Sequence, residues 1–167
     1  MHSNSKIQGF IHYQLYGEQG ELKQEGVNHN LVVTEGDNWV ANKLYGGTQA
    51  AMIQLVLGTS TTAPQKSDTW VNGPFPGNGT AAGTAGSVSV GTIPGTANGI
   101  RYVGTFGAGY ATQNGIQEAV ISNAVPGTAG TEPTGEILSH ALLNPGTINK
   151  GANDVLVVTW DITFLGA

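Results

Sequence analysis

The stretch VLVVTWDITFL, residues 155–165, indicates the fold class more clearly than any other part of the sequence. Its residues alternate with a period of two, and one face collects the large apolar side chains Leu156, Val158, Trp160, Ile162 and Phe164. Alternation of this kind, with β-branched and aromatic residues, is typical of a strand that buries one side. We therefore expect a half-buried strand from Val155 to Leu165.

The rest of the chain predicts further strands. Near the N-terminus, apolar residues again alternate with polar ones: Ile7, Ile11, Tyr13 and Leu15 against Gln8, His12 and Gln14. Four shorter apolar runs, each bounded by Gly, Pro or Asn, follow at Ile53–Leu57, Ile100–Phe106, Ile116–Ile121 and Ile137–Leu143. Short strands with glycine-rich connections predict an all-β fold, an antiparallel β-sandwich or jelly roll, as one domain over residues 1–167.

One segment has helical rather than strand periodicity. Trp39, Val40 and Leu44 form an apolar stripe within residues 38–45, and Gly46 with Gly47 supplies a stop signal. Asp37 is placed to cap the first turn, which explains the acidic pair Glu35 and Asp37 better than a metal site does. The helix is about two turns long, so it must pack against the sheet to be stable.

The most unusual stretch is VNGPFPGNGTAAGTAGSVSVGTIPGTANG, residues 71–99, which has eight glycines, three prolines and no charge. It is expected to be a long loop inserted into the sandwich. Alone in water such a segment cannot bury enough surface to repay its ordering entropy. We therefore expect neighbouring chains to hold it. Residues 125–133, VPGTAGTEP, have the same character.

The composition favours a protein that packs against others rather than an enzyme. Charged residues make up only 10% of the chain, against about 25% in an average globular protein. Six Lys and Arg against eleven Asp and Glu, a net charge of −5, make nucleic acid an unfavourable partner. The chain has no cysteine and no run of 18 apolar residues, and its start lacks the apolar stretch of a secretory signal. We expect a protein made in the cytoplasm that does not enter a membrane.

No common catalytic or cofactor-binding motif is present. The run GTSTTAP, residues 58–64, lacks the lysine of a phosphate-binding loop, and there is no GxSxG motif. The histidines are not spaced like a metal pair, and each is expected to be solvated or hydrogen-bonded: His2, His12, His29 and His140. We expect no catalytic residue, no cofactor and no metal, although sequence does not test a triad or carboxylate pair assembled from distant residues.

Trp70 and Phe75 border the glycine-rich stretch and are the aromatic pair best placed to be exposed. An exposed pair would suit a sugar-binding surface. We favour the other interpretation, in which the two side chains anchor the loop to the sandwich or to a neighbouring chain.

Several segments resemble a pattern frequent in small structural proteins of tailed phages. They are NHNLVVTEGDNWVANKLYGG (28–47), IQLVLGTSTTAPQKSDTWV (53–71), GIQEAVIS (115–122), GEILSHALLNPGTINKGANDVL (135–156) and LVVTWDITFL (156–165). Lys150 falls where the pattern has a turn before the last strand. The match covers about residues 28–70 and 100–167, with all pieces in the same order, while residues 71–99 depart from it.

The resemblance implies a β-sandwich subunit of a symmetric homo-oligomer, expected to be a trimer. Similar phage proteins are capsid decoration (cement) proteins, which bind the outer surface of the major capsid protein and stabilise the head; others are tail, baseplate or fibre subunits. The expected location is therefore the virion, on the capsid exterior. A carbohydrate-binding module is the alternative of another class, and an enzyme is the least favoured. The candidate assembly contacts are His2, Lys6, Trp70, Phe75, Asn78 and Thr80.

Overall fold

The structure is a computed structural model, and it describes residues 7–75, 83–124, 135–143 and 145–164. Within these residues the chain forms ten strands and one helix. In chain order they are β1 (Ile7–Tyr16), β2 (Leu22–Val32), α1 (Thr34–Leu44), β3 (Gln54–Gly58), β4 (Ser87–Thr92), β5 (Gly99–Phe106), β6 (Gln113–Ile116), β7 (Glu118–Ser122), β8 (Ile137–Leu142), β9 (Ile148–Lys150) and β10 (Val155–Phe164).

Eight strands form one antiparallel sheet in the order β3-β7-β8-β2-β1-β10-β5-β4, and β6 pairs with β9 beside it. Strand β2 joins the two halves of the large sheet. Residues up to His29 pair with β1, and residues from Asn30 onward pair with β8. A strand that changes partners along its length turns the corner between two packed sheets.

The sheet also curves until its two ends nearly meet. Leu57 of β3 donates its backbone N–H to the carbonyl of Gly83, and Ala85 donates to the carbonyl of Leu55. One residue later, Gly86 donates to the carbonyl of Thr105 on β5. The chain entering β4 is therefore bonded to both end strands, and the architecture is a sandwich that is almost a closed barrel. The prediction of an antiparallel all-β fold with one short helix is confirmed.

The strand predictions with the strongest alternation are also confirmed. β10 runs to Phe164, and β1 pairs with it along ten residues. Their inward residues form the centre of the main core with side chains from β5 and β8: Ile11, Tyr13, Leu15, Leu156, Val158, Trp160, Ile162, Tyr102, Phe106 and Leu138. The alternating side chains are apolar because every second residue of these strands meets this core.

Other predictions need correction. Ile53 precedes β3 and is 51% exposed, so it does not share the buried face of Leu55 and Leu57. The run Ile116–Ile121 is broken at Gln117 into β6 and β7, and β2 and β9 were not expected. The glycine-rich stretch 71–99 is not all loop, because alternating Val and Ser residues form β4.

The helix begins earlier than expected, at Thr34, because its first turn packs on β8. The capping residue is Val33, with no side-chain cap, so the prediction that Asp37 caps the helix is wrong. Glu35 and Asp37 instead lie in the first turn, where negative charge favours the helix dipole. Glu35 accepts a hydrogen bond from the backbone of Ile137, which ties the helix to the start of β8.

Candidate functional site

A second layer covers the outer side of strands β3, β7 and β8. It is formed by the start of α1 and by residues 59–75, which we call the cover loop. Six apolar residues pack together between this layer and the sheet, and they come from both sides: Val33, Val56, Trp70, Val71, Val120 and Ile137. The cover loop is also tied to the end of β3, because Thr59 donates its backbone N–H to the carbonyl of Gly73 over 2.7 Å.

Three ionisable side chains meet under the cover loop. His140 of β8 is fully buried, and it lies opposite Val120 in the β7–β8 pair. Its Nδ1 lies 2.7 Å from Oδ2 of Asp68, in the cover loop, and its Nε2 lies 2.8 Å from Oε2 of Glu118, the first residue of β7. The imidazole ring thus bridges two carboxylates, one from the loop and one from the sheet.

Glu118 binds the cover loop directly as well. Its fully buried carboxylate accepts backbone hydrogen bonds from Ser60 (3.1 Å), Asn72 (3.0 Å) and Gly73 (2.6 Å). Asp68 in turn accepts the backbone N–H of Gln65 at 2.8 Å. A buried charge is stable in a protein only when it is paired and fully hydrogen-bonded, and here both conditions hold. We call Asp68, His140 and Glu118 the buried clamp.

Each ring nitrogen of His140 faces a carboxylate oxygen, so when the ring is protonated both nitrogens donate to an acceptor. Burial of the ring lowers the pKa of His140. The hydrogen bonds to Glu118 and Asp68, together with the negative charges of both groups, outweigh that effect and hold the pKa above its ordinary 6.5. Through these contacts the clamp fastens the cover loop to the sheet, and the raised pKa favours the imidazolium form of His140.

Neither ring nitrogen of His140 is free in the clamp. A histidine that acts as a general base needs a free ring nitrogen near the proton that it removes, and both nitrogens of His140 are engaged by carboxylates. Asp68 and Glu118 lie on opposite sides of the ring, so they do not converge on one point. In the described part of the chain, no group of three or more His, Asp or Glu side chains is arranged to hold a metal ion.

The raised pKa of His140 predicts how the stability of the protein depends on pH. Below pH 6.5 the ring is protonated in both the folded and the unfolded chain, and the clamp contributes fully. Above pH 6.5 the unfolded chain loses the proton first. The free energy of unfolding should therefore fall with rising pH, by up to about 1.4 kcal/mol per pH unit, until the folded pKa is passed. Urea unfolding between pH 6 and pH 9 measures this slope. A His140→Gln variant should lack it, and an equal slope in both proteins would contradict the assignment.

The sequence carries a signal for this site. Glu118 and His140 each stand inside an otherwise apolar strand, in QEAVIS and ILSHALL. A charged residue at such a position has to find a partner on the neighbouring strand or above it. The expectation that His140 is hydrogen-bonded among apolar residues agrees with the structure, but neither carboxylate was identified as its partner.

Trp70 and Phe75, the aromatic pair that borders the glycine-rich stretch, are both buried. Both belong to the cover loop: Trp70 is 5% exposed and packs in the apolar cluster between the loop and the sheet, and Phe75 is 7% exposed and joins the main core. The favoured interpretation, that the two side chains anchor this chain segment to the sandwich, agrees with the structure, and the exposed-pair alternative is wrong. The remaining candidate contacts, His2, Lys6, Asn78 and Thr80, lie outside the described residues.

Lys150 is a second buried ionisable group. It ends strand β9 rather than lying in a turn, and it is only 1% exposed. Its ammonium donates to the carbonyl of Gly107 over 2.9 Å, and burial lowers its pKa. Nearby, Asp154 binds Lys23 at 2.9 Å. The first contact ties β9 to the end of β5, and the second ties the residue before β10 to β2. A surface cavity of about 400 Å³ is lined in part by Lys150.

The outer side of the other half of the sheet has an unusual charge distribution. Strands β1, β10, β5 and β4 contain a single acidic residue, Asp161, and a single Lys or Arg, Arg101. These two are neighbours in the β10–β5 register and form a bidentate ion pair at 2.7 and 2.6 Å. The charges cancel within the face, whose other outward residues on β10 and β5 are Val and Thr. We call this surface the paired-charge face.

Comparisons of the chain with protein-family models, with curated proteins and with solved structures gave no match. Among the described residues, no helix is both long and apolar enough to cross a membrane.

Proposed function

We propose that this chain is a non-enzymatic structural subunit of a phage particle that works by assembling with itself and with another virion protein. The specific role proposed is capsid decoration: binding to the outer surface of the major capsid protein and stabilising the head. The proposal rests on the sequence pattern described above and on one structural observation, the paired-charge face.

The paired-charge face supports this role because a surface of this kind can be buried at low cost. Burying an unpaired charge against a partner is strongly unfavourable, whereas a bidentate Arg–carboxylate pair carries its own counter-charge into the interface. Arg101 and Asp161 form that pair, and half-buried Val103 and Thr159 lie beside it. Such a surface loses few water-bonded charges when another protein covers it.

The buried clamp supports the same role by a different property. A subunit whose loops are already fixed loses less conformational entropy when it binds, so more of the contact energy appears as affinity. The cover loop is held by three backbone bonds to Glu118 and by the bridge from Asp68 to His140. A protein that braces a shell benefits from this rigidity, whereas an enzyme would need some of these groups free to act.

A charge placed in the middle of the paired-charge face tests the proposal. Val103 lies between Thr159 and Ser89 in the register of the sheet. Val103→Lys should weaken binding to purified phage heads that lack the protein by at least about tenfold, because the neighbouring carboxylate, Asp161, is already bound by Arg101 and the new charge would be buried without its own counter-charge. Co-sedimentation of labelled protein with the heads measures the affinity.

Ala152→Lys is the matched control, since it adds the same charge at an exposed turn away from this face. Circular dichroism should show that both variants keep the fold. Wild-type protein that fails to bind heads would contradict capsid decoration. If it binds purified tails or baseplates instead, the assembly role stands and the location changes to the tail.

A further inference from the structure

Strand β4 is an open edge of the large sheet. β3 and β4 are the two end strands, and the backbone of β3 is bonded by residues 83 and 85. The chain separates from β3 after residue 85, just before β4 starts at Ser87. One side of β4 pairs with β5 along all six of its residues, and in the described part of the chain its other side has no strand beside it.

β4 also lacks the features that usually protect a sheet edge. Natural edge strands carry lysine or proline, contain a bulge, or are covered by another segment. The sequence SVSVGT has neither a charge nor a proline, and its register with β5 is continuous. Ser89, Gly91 and Thr92 are exposed, and Val90 keeps 46% of its surface in water. The edge is uncharged, regular and accessible.

We infer that β4 pairs, antiparallel and across a two-fold axis, with β4 of a second copy of this chain. The proposal deepens the assembly role and rests on the proposed function only for its biological purpose, because the contact itself involves no other protein. Strand addition of this type is stabilised by backbone hydrogen bonds between the two edges.

The side chains of β4 select the register of this pairing. Val88 and Val90 face the same side as the buried Tyr102, and Ser87, Ser89 and Gly91 face the other. Directly opposed residues of an antiparallel pair point to the same side of the sheet. Centring the two-fold axis on Ser89 therefore places Val88 opposite Val90 of the second copy, and Ser89 opposite its own equivalent. A shift by one residue would set Val against Ser.

A second copy fits this edge better than a foreign peptide because β4 is complementary to itself. Its neutrality removes like-charge repulsion at the contact although each chain carries a net charge of −5. The chosen register also covers the exposed part of Val90 with Val88 of the partner. A two-fold contact closes at two copies, so β4 gives a dimer, and the trimer expected from the resemblance would need a different contact surface.

A single cysteine tests the pairing without ambiguity, because the natural chain has none. In the Ser89→Cys variant the two new thiols would lie on Cβ atoms about 4.5–5.5 Å apart, close to disulfide distance. Mild oxidation at low protein concentration should give a covalent dimer at least tenfold faster than in the Ser87→Cys variant. In this register residue 87 of one copy lies opposite residue 91 of the other, so the two copies of residue 87 are four residues apart, about 13 Å along the strands.

The register is tested by mixing. The Ser87→Cys variant should cross-link to the Gly91→Cys variant, and neither should cross-link to itself. Residue 91 accepts a side chain because nothing lies within 4 Å of the position that its Cβ would take. Gln8→Cys, exposed on β1, is the control for random collision. Two results would overturn the pairing. The first is equal cross-linking of all variants. The second is a wild-type chain whose mass stays at 17.2 kDa by light scattering at high concentration, together with the absence of a Ser89→Cys dimer. Cross-linked protein that fails to bind heads would leave the pairing intact and contradict only the proposed function.

Discussion

Replacing Glu118 by glutamine is expected to lower the free energy of unfolding by about 3–5 kcal/mol, because it breaks a buried ion pair on one side only. The new amide keeps one oxygen, which can still accept from Ser60 and Gly73. Its NH₂ group, however, would face the N–H of Asn72 and the Nε2–H of His140, so donors would oppose donors. Urea-induced unfolding at pH 6 measures the loss.

The control for this variant is Glu25→Gln, which changes a half-exposed carboxylate on β2 near His12. Its effect should stay within about 0.5 kcal/mol, as for other surface substitutions. Hydrogen exchange adds a local test, since the amides of Ser60, Asn72 and Gly73 should lose protection in Glu118→Gln before the rest of the sheet does. A loss below about 1 kcal/mol, with those amides still protected, would mean that the clamp does not fasten the cover loop.

Trp160→Ala is expected to have a comparable effect, about 3–5 kcal/mol, because it opens a large cavity in the main core. Trp160 is fully buried on β10, between Ile11 of β1 and Tyr102 of β5. Its indole Nε1 is buried as well, and no hydrogen-bond partner for it is found among the described residues. The side chain therefore contributes by filling space rather than by hydrogen bonding.

Trp160→Phe separates these two contributions. Phenylalanine leaves a smaller gap and removes the buried N–H, whose desolvation costs about 1–3 kcal/mol when it is unpaired. The two effects oppose each other, so Trp160→Phe should change the free energy of unfolding by less than about 1.5 kcal/mol. Urea unfolding followed by far-ultraviolet circular dichroism compares the variants. Similar losses for Ala and Phe would indicate that the indole N–H makes an important hydrogen bond.

Trp160 and its neighbours also explain which part of the fold could be predicted. The strands β1 and β10 lie in the middle of the sheet, and each has one side facing the core along nearly its whole length. Their period-two pattern is therefore complete in the sequence. β2 was missed because its first half, LKQEGVN, is mostly exposed and carries little apolar alternation. Its position depends on pairing with β1 and β8 rather than on its own side chains.

The candidate site, too, could be predicted only in part from the sequence. Glu118 and His140 each stand out as polar residues in apolar strands, and that much is visible in the sequence. That they meet each other, and meet Asp68, depends on contacts across 22 and 72 residues. No local pattern encodes such contacts. The sequence does not reveal the cover loop as an ordered layer, because its order comes from the carboxylate beneath it. Nor does it show whether Trp70 and Phe75 pack on the sandwich or on a neighbouring chain, because the surface that buries them belongs to other segments.

By itself, the sequence determined that this protein is an all-β chain with a short helix, because strand and helix periodicity are local properties of side-chain spacing. It also determined the scarcity of charge from which the assembly role is proposed. Only the tertiary structure decided that β2 turns between the two halves of the large sheet, that β4 has no second neighbouring strand within the described residues, and that Arg101 and Asp161 cancel each other. These features depend on which strands become neighbours, and strand order is fixed by long-range packing that no single segment contains.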